Sequence, residues 1–320
     1  MNRFYLRITQ RVKIIYYISG VLYIFSHLVL YIIKGIPLFM HSRLDATTGG
    51  FGFILSISST TIQIVLSILS YKYLLGFKFK FFDYVMSFSF VLFSLLSGSK
   101  SIFIGVVFIL FYVAYFLSVK LSIPQIINKF NKIAKNTFIL AVLSLFFLLF
   151  FIKNMNPITT IIFRIIMTGD IFMMAYVDNN IELLKGNFLT LTLPYKLVDI
   201  LDLEHVKSIG FQLITNIYNI EANYGPNARH NVFGYVSFGY IGSMFFSFFI
   251  GMTTSFIRNK LIKSIKINLE SMIIFIFIVS NVFSIETDFQ YAIFIYISEV
   301  IVFLGIYIAS YILTSQRRFN

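Results

Sequence analysis

Residues 102–119 read IFIGVVFILFYVAYFLSV, eighteen consecutive residues without a charge. A bilayer core of about 30 Å takes roughly 20 apolar residues in one helix, so this stretch reads as a transmembrane helix. Outward from it the pattern recurs at 14–33, 51–71, 81–97, 137–152, 232–257, 271–285 and 291–313, which predicts eight spans in all. The composition agrees. Hydrophobic residues make up 58% of the 320 and charged residues 12%, with a mean hydropathy of +0.86. A soluble domain carries about 25% charged residues, so this chain lacks the polar surface a water-facing globule needs. There are no cysteines, which excludes disulfides, thiolate metal sites and cysteine nucleophiles.

The turn between the third and fourth spans is only Gly98-Ser99-Lys100-Ser101, so those spans read as a tight helical hairpin. The first span follows Arg3, Arg7, Arg11 and Lys13, has full spanning length and ends in no small-residue cleavage site; it reads as a retained signal anchor. The net charge of +13 is compatible with nucleic-acid binding, but basic cytoplasmic loops explain it more simply, and no nucleic-acid partner is expected. With the N-terminus inside, seventeen of the 26 Lys and Arg residues fall on inner segments, among them Lys72, Lys78 and Lys80, Lys120 to Lys135, and Arg258 to Lys266. Ten of the 13 acids fall outside. Both termini are therefore expected in the cytoplasm.

Residues 158–177 (ITTIIFRIIMTGDIFMMAYV) are long enough to cross, but Arg164 and Asp170 would then lie near mid-membrane at about 2.5–3.5 kcal/mol each. Crossing would also reverse the side of every later loop. An amphipathic helix on the outer leaflet is the preferred reading. The expected architecture is thus an all-α polytopic membrane bundle forming a single integral membrane domain over 1–320. Within it, 153–231 form one long outer loop carrying that amphipathic helix. Loops on a rigid scaffold are where chemistry is usually placed.

No Walker motif, strand-bound GxGxxG, GxSxG or HExxH occurs, so nucleotide-driven chemistry and zinc hydrolysis have no support. What remains is a set of cations at the outer boundary. Arg229-His230 stands where the loop meets the sixth span; Arg can grip a phosphate bidentately and His can carry a proton near neutrality. The plainer account is an interfacial anchor with Asn231 as helix N-cap. Arg164 is a phosphate ligand or a residue paired with ordinary head groups. Asp170 serves a sugar hydroxyl or merely a surface helix. Lys100 offers a point charge at the start of the fourth span, or snorkels from a turn that needs Gly98. Arg43, after Lys34-Gly35-Ile36-Pro37-Leu38-Phe39, adds to a cationic rim or simply follows a helix break. Glu299 within the last span is expensive to bury and is by default a functional candidate, with Lys100 or His27 as its partner, or a protonated hydrogen bond between helices. Gly234, Gly239, Gly242 and Gly251 allow close helix approach or line a groove for a lipid tail. No acidic cluster with metal-ligand spacing is evident, so no metal and no cofactor are expected.

The GIPLF break with a nearby Arg, the SGS-plus-basic turn, and NVFGYVSFGYIGSMFFSFFIG after a long outer loop together resemble bacterial oligosaccharide repeat-unit polymerases, the O-antigen polymerases of Wzy type. The resemblance covers residues 34 to 257 in scattered pieces, carried by their order. It implies an inner-membrane glycosyltransferase with a periplasmic site, moving a glycan from undecaprenyl pyrophosphate onto another lipid-linked repeat unit. It also implies a chain-length regulator as a partner. Arginines in outer loops of the family correspond to Arg164 and Arg229; Lys100 stands where Arg is usual, keeping the charge and losing the planar fork. The span count is lower than in typical members, and their Arg-x10-Gly repeat is absent. A departing pyrophosphate calls for cations at head-group depth, and the acceptor hydroxyl for a base: His230 first, Asp170 or Glu221 second. A flippase or transporter for lipid-linked sugars, and a ligase-type transferase using the same donor, remain as alternatives.

Overall fold

The computed structural model describes residues 8–40, 52–97, 101–123, 125–147, 156, 158–159, 162, 170–193, 195–219 and 225–319. Among these the regular structure is helical, and four helical stretches are long and apolar enough to cross a membrane: Gln10–Phe39, Gly52–Leu75, His230–Ser264 and Ile295–Gln316. Shorter apolar helices cover Phe81–Leu96, Gly105–Leu121 and Leu269–Val282. This is the framework of a membrane-embedded helical protein. The chain divides into two compact units.

The first unit comprises Met1–Met155, Ile262–Ser280 and Ser298–Asn320. Its helices are α1 (Gln10–Lys34), α2 (Gly52–Leu75), α3 (Phe81–Leu96), α4 (Ser101–Leu121) and α5 (Gln125–Phe147). Thr9 opens α1 by accepting from the Val12 N–H at 3.2 Å, and Gly35, at φ +88°, closes it. This is a threonine cap followed by a left-handed glycine stop. Helix α2 packs on α1 and α4, and α4 packs on α5, with Phe111 and Phe130 rings 5.7 Å apart. Residue 124 apart, α5 begins twelve residues before the expected span 137–152. The basic run expected as a cytoplasmic loop continues the helix instead, and Lys129 donates to the Leu74 carbonyl at 3.1 Å, capping the negative end of α2.

Near the start of α1, the end of α2 and the start of α3 a buried carboxylate ties three helices together. Asp83, 1% exposed, accepts from Tyr16 Oη at 2.7 Å, Lys72 Nζ at 2.6 Å and the Lys80 N–H at 2.8 Å. A charge removed from water survives only when paired and hydrogen-bonded, and Asp83 meets both conditions. Three hydroxyls of α2 are turned back on their own helix: Ser56, Thr61 and Ser67 donate to carbonyls four residues earlier. Thr60 reaches the Glu299 carbonyl oxygen and Ser280 reaches Gln63 Oε1. His27 lies on the Tyr23 carbonyl and on Ser58 and stacks on Phe93.

The second unit comprises Asn156–Leu261 and Asn281–Ile297. The described part of the expected outer loop is folded into short helices: α6 (Asp170–Tyr176), a 3-10 turn over Val177–Leu183, α7 (Phe188–Thr192), α8 (Tyr195–Ile200) and α9 (Ile209–Tyr218). All of these except α8 share a core with α10 (His230–Phe256) that includes Ile171, Ala175, Ile209, Leu213, Val232, Phe233 and Phe289. Of the amphipathic helix expected over 158–177, residues 158–159, 162 and 170–176 are helical, and 160–161 and 163–169 lie outside the described residues. Two last helices, α11 (Leu269–Thr287) and α12 (Phe289–Phe319), pass through both units.

One expectation is corrected. The stretch 232–257 is not one straight span, because α10 reverses at Gly239, whose φ of +72° and ψ of −175° lie in a region open essentially to glycine alone. A Cβ on Gly234 would stand 3.2 Å from Ser243 Cα, and the Phe233 and Phe246 rings are 5.6 Å apart. Residues nine apart in a straight helix are separated by about 13.5 Å. Limbs 230–238 and 240–256 therefore form an antiparallel hairpin. The second limb is about 25 Å long at 1.5 Å per residue, extended by a π-turn over Ile257–Leu261. Ile241, Phe245, Phe248, Met252 and Phe256 expose an apolar stripe along it, with Phe245 72% accessible. A stripe of that kind is at home against hydrocarbon. Of the four glycines, Gly239 makes the turn and Gly234 lets the limbs approach, whereas a Cβ on Gly251 would meet nothing within 4 Å.

Candidate functional site

Of the seven residues singled out from the sequence, Arg43, Lys100, Arg164 and Glu221 lie outside the described residues. The other three, Asp170, Arg229 and His230, are brought to one region of the second unit. Arg229 is the N-cap of α10, with φ −58° and ψ 151°, and its carbonyl accepts the first helical hydrogen bond from the Phe233 N–H at 3.0 Å. Its guanidinium lies over the Phe172 ring, 5.8 Å from the centroid, a cation–π geometry that steadies the side chain. Phe172 belongs to α6, two residues after Asp170. His230 is the first helical residue, so its backbone N–H is among those that point outward at a helix start. The expected cap, Asn231, is instead inside the first turn, and its Oδ1 is buried without a hydrogen-bond partner. The cap position falls two residues earlier, at Arg229.

The residues before the cap define the site. Ala228 is 3% exposed and its carbonyl accepts from the Phe289 N–H at 3.4 Å. Gly225 is pressed against Gly210 of α9: a Cβ on Gly225 would lie 2.1 Å from the Gly210 carbonyl oxygen. Asp170 opens α6 with its own carboxylate folded onto the Ile171 N–H at 2.7 Å, which suits an acid in a first turn. Both the half-buried Arg229 and the helix start it caps are electropositive, and together they favour an anion. Among the described residues no three of His, Asp and Glu stand close enough to hold a metal ion.

The same unit holds polar pairs that the sequence pattern did not mark. His205 Nε2 is 2.5 Å from Asp199 Oδ1, both well exposed, across a turn in which Asp202 takes a left-handed φ of 51°. Tyr235 on the first limb of α10 donates to Glu182 at 2.7 Å. Burial pushes the Tyr176 phenol above its ordinary range, so it stays a neutral hydroxyl. Residues six apart lie on different faces of a helix and about 20 Å apart along a strand, so only the turn geometry reveals the Asp199–His205 pair. Gly210 inside a helical pattern was the one available signal for the glycine contact.

The chain matches no protein-family model, no curated protein and no solved structure.

Proposed function

We propose that this protein is a bacterial inner-membrane glycosyltransferase that polymerises undecaprenyl-pyrophosphate-linked oligosaccharide repeat units into O-antigen or capsular polysaccharide. In this reading the chain crosses eight times with both termini in the cytoplasm, and residues 153–231 face the periplasm. The second limb of α10 serves as the sixth crossing, so the reversal at Gly239 leaves Arg258 to Lys266 on the inner side. An acceptor sugar hydroxyl attacks the anomeric carbon of the donor glycan while that carbon's bond to the pyrophosphate oxygen breaks. His230 takes the hydroxyl proton, with Asp170 or Glu221 as the alternative base. Arg229, with Arg164, Lys100 and Arg43, holds the departing undecaprenyl pyrophosphate.

The observation that carries the reading is the pairing of Arg229 with His230 at the start of the first limb of α10, the guanidinium steadied on Phe172. A pyrophosphate needs cations that are already in place, since preorganised charge is what lowers a barrier. A flippase is less well supported, because three hydroxyls of α2, those of Ser56, Thr61 and Ser67, return to their own backbone. A ligase-type transferase uses the same grip and differs only in acceptor.

The test is deletion of the gene and complementation with Arg229→Ala, His230→Ala or Arg164→Ala. Polymerase failure leaves surface glycan one repeat long, flippase failure leaves none, and ligase failure leaves chains that never reach their final acceptor. Each cation or base removed is expected to slow transfer about 100- to 1000-fold. Full-length ladders from all three variants would dismiss this site.

A further inference from the structure

We propose that Gly210 and Gly225 are positioning residues for this site: their backbone contact sets where Arg229 and His230 stand. The inference rests on the polymerase reading of Arg229 and His230. The contact is unusually close and it is between backbones on both sides. A Cβ on Gly210 would come 2.2 Å from the Pro226 carbonyl oxygen and 3.1 Å from the Gly225 carbonyl carbon. A Cβ on Gly225 would come 2.1 Å from the Gly210 carbonyl oxygen and 2.2 Å from its carbon. Neither glycine has a φ in the left-handed region, so alanine suits the local conformation at both. Gly210 lies in a helix, where alanine is intrinsically favoured over glycine. The absence of a side chain at these positions is therefore a matter of space alone.

The contact cannot be relieved by moving α9 aside. Ile209 and Leu213 are fully buried in the core of the unit, and the Ile209 N–H reaches Gln290 Oε1 at 3.4 Å. Gln212, one turn on, uses its amide fully: it accepts from the Lys185 N–H and donates to the carbonyls of Lys185 and Lys207, each at 2.8 Å. The element that yields to an added methyl group is the segment 225–229. The Ala228 carbonyl, which accepts from Phe289 at 3.4 Å, belongs to this same short segment, so displacement at Gly225 and Pro226 strains that long bond and shifts the cap residue Arg229 and the first helical residue His230. A shift of about 1 Å in a catalytic group costs about a hundredfold in rate.

The experiment places Gly210→Ala, Gly225→Ala, Gly251→Ala and Arg229→Ala in the gene-deleted host and compares glycan ladders at equal protein level in the membrane. Gly251→Ala is the control, since its added Cβ meets nothing within 4 Å. The expected result is short ladders from both contact glycines, about a hundredfold down in polymer, and a normal ladder from Gly251→Ala. A second measurement separates displacement from general loosening: carbethoxylation of the four histidines in the full-length protein, read by mass spectrometry. His230 is expected to change its rate in Gly225→Ala while His205, in the same unit, does not. Normal ladders from both contact variants beside a failed Arg229→Ala would overturn the inference and leave the polymerase reading standing. A normal ladder from Arg229→Ala would overturn that reading and the inference with it. Equal changes at His205 and His230 would show loss of fold rather than positioning, and would also overturn the inference.

Discussion

At the scale of single residues, the molecule uses charge where it is fully answered. Asp83 accepts three hydrogen bonds from three different segments, Tyr16, Lys72 and Lys80. Replacing it with alanine strands the Lys72 ammonium, 13% exposed, in apolar surroundings. Breaking a buried pair from one side costs about 3–5 kcal/mol. Asp83→Ala is therefore expected to lower the thermal unfolding midpoint of the purified protein, with Asp83→Asn intermediate; an unchanged midpoint would mean that these three hydrogen bonds hold nothing. The site residues were legible to different degrees. Arg229 and His230 stand out in sequence because a phosphate-gripping cation and a proton carrier fall side by side at a loop-to-span junction. Asp199 with His205, and Gly210 with Gly225, were not legible, since turns and backbone proximity leave no periodic trace.

At the scale of elements, α10 carries the plainest lesson. The residues 232–257 are continuously apolar on both sides of Gly239, and hydropathy does not record a single φ of +72°. A span read from composition thus became a hairpin. The natural absence of cysteine allows a direct check. A Cβ on Gly234 would lie 3.4 Å from Ser243 Cβ, close to the roughly 3.5–4.5 Å of a disulfide. The pair Gly234→Cys with Ser243→Cys is expected to close intramolecularly under mild oxidation, seen as loss of two free thiols by mass. A straight helix keeps them about 13.5 Å apart and gives no bond. Gly239→Ala forces a residue with a Cβ into a conformation costing about 1–3 kcal/mol, so it is expected to slow that closure. Helix α5 shows the opposite error: its lysines hid a helix start, because a basic run looks like a loop until Lys129 is seen capping α2.

At the scale of the whole molecule, the lipid-solvated helical class was legible from composition alone, because 12% charged residues cannot cover this chain. The internal order of the segment after residue 170 was not, because its short helices are stabilised by a shared core rather than by their own lengths. Sidedness is open to measurement. Single cysteines at Leu201, 55% exposed, and at Lys260 are expected to respond oppositely to a membrane-impermeant maleimide. Leu201→Cys should label in cells with a permeable outer envelope and an intact inner membrane, and Lys260→Cys only after lysis. The reverse pattern would put the candidate site on the cytoplasmic side and end the polymerase proposal.

The packing of Phe289 against Phe233, rings 4.7 Å apart, also bears on how the chain is made. Ribosomes deliver residue 289 well after residue 230, and a nine-residue limb is too short to be inserted as a crossing by itself. The region around Arg229 must therefore wait, unfinished, until the final pair of helices emerges. A nascent chain arrested before residue 281 would have its first helices inserted while the Arg229 region remains open to protease.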